Sequence, residues 1–414
     1  MLNIAIAGAG IGGLTAALSL HATGLTQIKV LESAREIRDL GVGVNLPPHA
    51  VRELTELGLG AALEQAGIQT AELAYYDTNG QLIWAEKRGL EAGYRWPQYS
   101  IHRGKLQQLL VKAVHERLGL HAIRTGLRVM SATNEIDNTV HLTLENLNSQ
   151  KMELLQADVL IAADGIRSRI RDHFFGKTIP LASNGWVMYR GTTAAAPFLT
   201  GRSMVIVGDE KQRVVLYPIA DGVINWLLVR PKSSDAKDDE LGNWNTEVPA
   251  QKIAEYINGW SFNWLDIHAL VQRASVAYAY PMADIDPLPN WVFKRCALLG
   301  DAAHAMYPFG SNGASQAILD ARILAFHMAT NPNLESALLA YENQRRNATA
   351  KIQLANRTQA GEIMAKVSSL ARQNAHDKAA NELQEVERHY KLLAGFDVQT
   401  LNSRESWNAA AKTY

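Results

Sequence analysis

The stretch Gly8-Ala9-Gly10-Ile11-Gly12-Gly13 follows a short apolar run, Asn3 to Ala7, and opens an Ala- and Leu-rich run, Ile11 to Ala22. The first run reads as a strand and the second as a buried helix, and Ile28 to Leu31 reads as a second strand. Together they form a β-α-β unit, which requires parallel strands joined by a crossover helix. In that setting the G-x-G-x-x-G spacing has a physical meaning. Gly8 permits the tight turn, Gly10 lets the backbone approach a pyrophosphate, and Gly13 lets the helix pack closely on the strand, with Gly12 counted among the cofactor-binding glycines. The helix N-terminus attracts phosphate charge. Glu32, at the end of the second strand, is placed to accept hydrogen bonds from ribose hydroxyls. The alternative is a glycine-rich turn beside a surface Glu.

Residues 1 to 28 contain no Lys, Arg, Asp or Glu. They do not read as a signal peptide, because the positive flank and small-residue cleavage site are missing and glycines interrupt the run. Farther along, Ala71 to Tyr76 and Gln81 to Ala85 flank Asn79-Gly80, and Val214 to Ile219 and Val223 to Val229 flank Asp221-Gly222. Both pairs read as hairpins with type I′ turns, which need positive φ at both central residues. With Trp186 to Thr193, Met204 to Val207 and Ser275 to Tyr280, the region 176–284 reads as an antiparallel sheet. Gly104 to Leu118 reads as a helix and Leu127 to Ile161 as a meander ending in a buried strand. After Asp284 the chain returns to α/β character, with a strand at Cys296 to Leu299 and a helix at Gly313 to Met328. Residues 335–357 and 361–394 read as charged packing helices, and 372–388 as a solvated face.

The chain has 414 residues, 47% of them apolar, enough for two packed lobes. Lys plus Arg and Asp plus Glu are each 41, so no net field draws the protein to nucleic acid or an anionic membrane. A small-molecule partner is expected. Cys296, the single cysteine, sits in an apolar run and reads as packing; its solitude excludes an internal disulfide framework and agrees with a reducing, cytoplasmic setting. No metal-ligand spacing such as H-E-x-x-H occurs.

Two further segments carry chemistry. Asp158 to Arg171 reads D-V-L-I-A-A-D-G-I-R-S-R-I-R, and Gly300 to Gln316 reads G-D-A-A-H-A-M-Y-P-F-G-S-N-G-A-S-Q. With the glycine fingerprint, in this order, they resemble the three marks of the class A FAD-dependent aromatic monooxygenases, the para-hydroxybenzoate hydroxylase fold. The resemblance implies a Rossmann-like α/β FAD-binding domain with a smaller antiparallel substrate domain and C-terminal helices. It divides the chain into FAD-binding parts at 1–70, 100–175 and 285–360, a substrate-domain hairpin at 71–99, a substrate domain at 176–284 and a helical segment at 361–414.

The resemblance also assigns roles. Gly300 and Asp301 would meet the flavin ribityl chain. The turn from Pro308 to Gly313 would run beside the isoalloxazine ring. Asn312, Gly313 and Ala314 would open a helix whose positive end faces the pyrimidine edge. Asp164 and Gly165, with Ser168 and Arg171, match D-G-x-x-S-x-x-R, and Arg103 matches an arginine reaching the flavin side of the cleft. His304, inside G-D-A-A-H, is expected to be a hydrogen-bonded structural residue. Tyr189, Tyr217 and Trp226 are candidate substrate contacts on the predicted sheet. FAD would take a hydride from NADH or NADPH and add O2 to form a C4a-hydroperoxide that attacks an electron-rich ring. No second β-G-x-G-x-x-G unit is present for the nicotinamide.

Within the family the likeness is nearest to the 5-methylphenazine-1-carboxylate 1-monooxygenase group. It rests on Glu36 to Gly43, on Glu91 to Gly93 with Pro97 to Gly104, and on Tyr307 to Asp320. It implies a phenazine-type carboxylate, hydroxylated with loss of CO2. Leu216, before Tyr217-Pro218, stands where related phenol hydroxylases often carry a histidine base. The alternatives are a salicylate-like hydroxylase, a non-oxygenating FAD reductase, or a non-catalytic dinucleotide-binding protein; no W-x-W-x-I-P halogenase segment occurs. Monomer and homodimer both remain open.

Overall fold

The computed structural model describes residues 2–38, 41–232, 246–358, 364–373 and 375–410. Asp39 and Leu40, within the family-like segment from Glu36 to Gly43, lie outside the described residues. The fingerprint strand Ile4–Ala7 is buried at every position. Such a run suits a parallel sheet covered on both faces, where no polar side is needed. It sits inside a six-stranded sheet in the order Val292–Phe293, Cys296–Leu298, Val159–Ala162, Ile4–Ala7, Ile28–Glu32, Ile123–Thr125. All neighbours are parallel except the edge strand Val292–Phe293. The helix Ile11–Ala22 packs on Gly313–Thr330 and Arg103–Leu118. Cys296 is buried in this core, and burial pushes its thiol up to about 12, which makes it a packing residue.

A second, eight-stranded sheet runs Thr246–Glu247, Ala277–Asp284, Ala182–Ala194, Val223–Pro231, Arg213–Ala220, Ser203–Gly208, Glu72–Tyr76, Leu82–Lys87. The hairpin that lies far upstream in sequence is thus hydrogen-bonded into this sheet. One junction corrects the expected antiparallel arrangement: Ser203–Gly208 pairs with Glu72–Tyr76 in parallel. One face of the sheet packs on the helices Ala250–Glu255 and Ile267–Gln272 to form a second core.

The hairpin turns also differ from expectation. Gly80 has φ 80° and Gly222 φ 66°, but neither Asn79 nor Asp221 has positive φ, so neither turn is type I′. At the first turn Asp77 takes over the organising role: its Oδ1 accepts from the backbone N–H of Asn79 and of Gln81, each at 2.9 Å. A side-chain acceptor two residues upstream makes the second positive φ unnecessary.

A separate meander, Leu127–Asn134, Val140–Asn146 and Lys151–Ala157, and a small sheet of Gly43–Leu46, Gln98–His102 and Gly67–Thr70 complete the β structure around the cleft. The C-terminal region contains the helices Met364–Arg372, His376–Leu393 and Val398–Ser403. Among the described residues, no helix is long and apolar enough to cross a membrane.

Candidate active site

A cavity of about 470 Å³ opens between the C-terminal ends of the parallel strands and the free face of the eight-stranded sheet. In an open α/β sheet this is where loops from successive strands converge on a ligand. The parallel side supplies Gly10 and Gly12, then Gly165, then Gly300 and Asp301, each just past the end of its own strand.

The fingerprint glycines divide by role. Gly8 has φ +101°, and a Cβ there would stand 2.4 Å from the Ala163 carbonyl oxygen; a Cβ on Gly13 would stand 2.0 Å from the Gly8 oxygen. These two serve close packing and do not line the cavity. Gly10 does line it, and a Cβ there would meet nothing within 4 Å. The open space lies in front of a helix N-terminus without a side-chain cap, where free N–H groups suit an anion. Glu32 does not line the cavity: its Oε2 accepts from Ala9 N at 2.8 Å and its Oε1 from Ala34 N at 2.7 Å, which fixes the loop. Gln107, which sequence reasoning missed, closes the same loop by donating to the Ala9 carbonyl at 2.7 Å.

Asp164 likewise turns away from the cavity. Its Oδ2 accepts from the N–H groups of Arg169 and Ile170 at the start of the helix Arg169–Phe175. Ser168 caps Arg171 N at 3.0 Å, and the buried Arg171 guanidinium reaches the Ala302 carbonyl at 3.4 Å. The D-G and G-D segments are thereby joined. Asp301 is exposed in the cavity, and its carboxylate makes no hydrogen bond to another described residue. Arg103, Pro308, Asn312, Gly313 and Ala314 also line the cavity.

Behind them runs a buried polar chain. Asp320 Oδ2 meets His304 Nε2 at 2.5 Å and accepts from Gly300 N at 3.1 Å, while Oδ1 accepts from Arg345 Nε at 2.6 Å. Burial raises the Asp320 carboxyl, but His304 and Arg345 outweigh it and hold it at about 2. His304 is a fully buried, hydrogen-bonded residue, as expected. Arg345 continues to Gln316, and Gln316 Nε2 donates to Asn312 Oδ1 at 3.1 Å. His49, driven by burial down to about 3 and therefore neutral, donates from Nε2 to the same oxygen at 3.0 Å. Asn312 also interacts with the Tyr390 hydroxyl, and both residues line the cavity.

The sheet side corrects two of the three aromatic candidates. Strand residues alternate between faces. Met188 and Arg190 face the cavity, so Tyr189 between them faces the second core, where it stacks on Tyr256 at 5.9 Å. Leu227 and Val229 face the cavity, so Trp226 points the other way, fully buried, with Nε1 donating to Thr193 Oγ1 at 3.1 Å. Tyr217 does line the cavity, and burial pushes its hydroxyl up to about 12. The same alternation overturns the argument from Leu216, which is buried in the second core; a histidine there would not face the cavity.

Two residues of this wall escaped the sequence reading. Arg213 is buried with its guanidinium 4.8 Å from the Phe309 ring centre and 5.6 Å from that of Trp186. Burial lowers it to about 10, which leaves it cationic at neutral pH. Arg190 donates to the Gly43 carbonyl at 2.9 Å beside Tyr217. The C-terminal helix supplies another wall: Leu383, Val386, Glu387 and Tyr390 line the cavity, which corrects the solvated-face expectation. Among the described residues, no histidine and no cysteine lines it.

A family model described as FAD binding domain matches residues 1–355. Phenazine 1,6-dicarboxylic acid hydroxylase PhzS of Lysobacter antibioticus is 44% identical over 363 residues, covering 86% of this chain and 89% of that protein. The 3-hydroxybenzoate 6-hydroxylase 1 of Aquipseudomonas alcaligenes is 32% identical over 361 residues, with 86% and 88% covered. Among solved structures, Klebsiella pneumoniae HpxO complexed with FAD and uric acid superposes with a TM-score of 0.77 at 23% identity, over 94% of this chain and 96% of that one, a likeness of fold. Matched along most of its length by that family and by these hydroxylases, and carrying the glycine, D-G and G-D segments around one cavity, the chain belongs to the FAD-dependent aromatic hydroxylases.

Proposed function

We propose that this enzyme hydroxylates a planar, carboxylated N-heteroaromatic ring of the phenazine type at its carboxyl-bearing carbon, with loss of CO2 and at the expense of NADH or NADPH and O2. The observation that carries the reading is Arg213, a buried cation among Met188, Val215 and Val229 with the flat Phe309 ring against it. An apolar bed with buried guanidinium groups at its edge, Arg213 among them, suits a flat ring that bears a carboxylate. The 44% identity to a phenazine dicarboxylic acid hydroxylase supports the same substrate class.

The residues present fit FAD. Gly10 leaves open space before a helix N-terminus, and the Asp301 carboxylate, exposed in the cavity, is unpaired among described residues. Gly8, Gly12 and Gly13 shape the loop, Glu32 and Asp164 brace it, and Arg103, Gly165, Gly300, Asp301, Asn312, Gly313 and Ala314 would hold the cofactor, with Pro308 beside its ring. When bound, FAD supplies hydride acceptance from the nicotinamide and the activation of O2. One oxygen atom enters the ring and the other leaves as water.

The chain's part is to bind, align and keep the chamber dry. Arg213 anchors the carboxylate, and Met188, Ile206, Val215 and Leu227 exclude water, which in a site of this kind protects a reactive oxidant. Tyr217 stays protonated and donates a hydrogen bond instead of removing a proton. With no histidine lining the described cavity, a phenol that must be deprotonated is poorly served. The test is to supply holoenzyme, NADH and O2 with 5-methylphenazine-1-carboxylate, phenazine-1-carboxylate, salicylate or 3-hydroxybenzoate, measuring hydroxylated product, CO2 and hydrogen peroxide. Coupled product and CO2 from a phenazine carboxylate are expected. Coupled turnover of salicylate, with only peroxide from the phenazines, overturns the substrate and leaves the enzyme class standing.

A further inference from the structure

The helix His376–Leu393 lies beyond the residues matched by the family model, yet one of its faces closes the substrate side of the cavity. Leu383, Val386, Glu387 and Tyr390 recur at the three- and four-residue spacing of a single helical face. That face is tied to the strand Leu82–Lys87 and the residue after it. Arg88 donates to Glu387 Oε2 at 2.9 Å and lies 2.7 Å from Glu86 Oε1, and Lys391 reaches both oxygens of Glu86 at 2.8 Å. The Tyr75 hydroxyl donates to the other Glu387 oxygen at 3.3 Å. Arg88, Tyr75 and Glu387 all border the cavity.

We propose that Glu387 is a specificity-determining residue that makes this end of the cavity refuse an anion, so that a planar ring with one carboxylate is accepted and one with a second carboxylate at its far edge is turned away. The inference rests on the reading that carboxylated rings are the substrates. The first carboxylate has Arg213. Tyr75, which borders the cavity with its hydroxyl on Glu387, belongs to the Glu387 end. Arg88 is already shared between Glu86 and Glu387. Side-chain exposures of 12% for Arg88 and 18% for Glu387 leave little water to screen a newcomer. A second substrate carboxylate drawn to Arg88 would sit against the Glu387 carboxylate, and taking the Arg88 Nη2 group would leave that mostly buried charge without its partner.

The experiment titrates FAD-loaded enzyme with phenazine-1-carboxylate and phenazine-1,6-dicarboxylate, following flavin fluorescence, for the wild type, Glu387→Gln and the double variant Arg88→Gln/Glu387→Gln. The wild type is expected to bind the monocarboxylate at least about tenfold more tightly. Glu387→Gln should narrow that ratio by about tenfold through tighter dicarboxylate binding, with the monocarboxylate Kd changed by no more than about twofold. The double variant removes the repelling charge together with the cation, so it should narrow the ratio less than Glu387→Gln does, again through the dicarboxylate alone, and it carries the test should the single variant not fold. An unchanged ratio, equal weakening of both ligands, or a wild type that already prefers the dicarboxylate overturns the role of Glu387. A wild type that binds neither ring overturns the substrate reading itself, a result distinct from an unchanged ratio.

Discussion

The two walls of the cavity follow different rules. On the cofactor side the backbone makes the site: Gly8 and Gly13 touch neighbouring backbone so closely that no Cβ fits, and Gly10 opens onto the cavity. On the sheet side the backbone is ordinary, and the site consists of whichever side chains fall on one face, with Met188 and Arg190 in and Tyr189 out. A site built from backbone tolerates almost no substitution at a few positions. A site built from strand side chains tolerates many, but a shift of one residue exchanges its whole surface.

The sharpest way to break this contrast is within the fingerprint. Gly13→Ala sets a methyl about 2.0 Å from the Gly8 oxygen and should yield no soluble flavin-loaded protein, whereas Gly10→Ala should fold with normal circular dichroism and weaker FAD binding. Equal behaviour of the two variants refutes the division of labour. On the sheet, Trp226→Ala should cost about 3–5 kcal/mol of stability, as large aromatic truncations do. KM of the folded fraction should not change; a specific rise in KM returns Trp226 to the substrate.

Asp301→Ala should remove a charge-assisted hydrogen bond of about 1.5–3 kcal/mol and weaken FAD roughly ten- to a hundredfold while the fold survives. Unaltered FAD affinity in a fluorescence titration places the carboxylate elsewhere. His49 sharpens the cofactor side through pH. Its folded-state pKa, about 3, lies below the ordinary imidazole value of about 6.5, so the unfolded chain takes up the proton first as pH falls. Stability from this group is whole above about pH 6.5 and declines toward pH 3, by at most about 1.4 kcal/mol per pH unit. Urea unfolding across that range should show a shallower acid slope in His49→Gln than in the wild type; parallel slopes count against it. The smallest effect is Tyr217→Phe, expected to raise KM for the carboxylated ring about two- to tenfold with Tm unchanged. Tyr189→Phe is expected to leave KM as it is, and an equal response of the two tyrosines removes the face assignment.

The same contrast explains what was legible in the sequence. Gly8 to Gly13, Asp164-Gly165 and Gly300-Asp301 were readable because a backbone-made site writes itself in spacing and in glycine. Tyr189 and Trp226 were misread because this sheet is covered on both faces, by the second core on one and by the cavity on the other. Trp186 to Thr193 therefore shows no apolar-polar alternation to mark the inner side. Arg213 escaped because a long basic side chain in a strand ordinarily means solvent, and only the Phe309 and Trp186 rings above it show otherwise. The C-terminal helix was read as a solvated face because what Leu383, Val386, Glu387 and Tyr390 cover depends on contacts with residues some three hundred positions away.

The position of that helix also sets an order of events during synthesis. The parallel sheet and its glycine loops have all their parts once the chain reaches Thr330, but the cavity lacks one side until His376–Leu393 has been made. A ribosome that delivers the N-terminal portion first thus completes a flavin cradle before it completes a closed reaction chamber. A chain halted between those points would have its flavin loops in place with one side of the cavity still open to water.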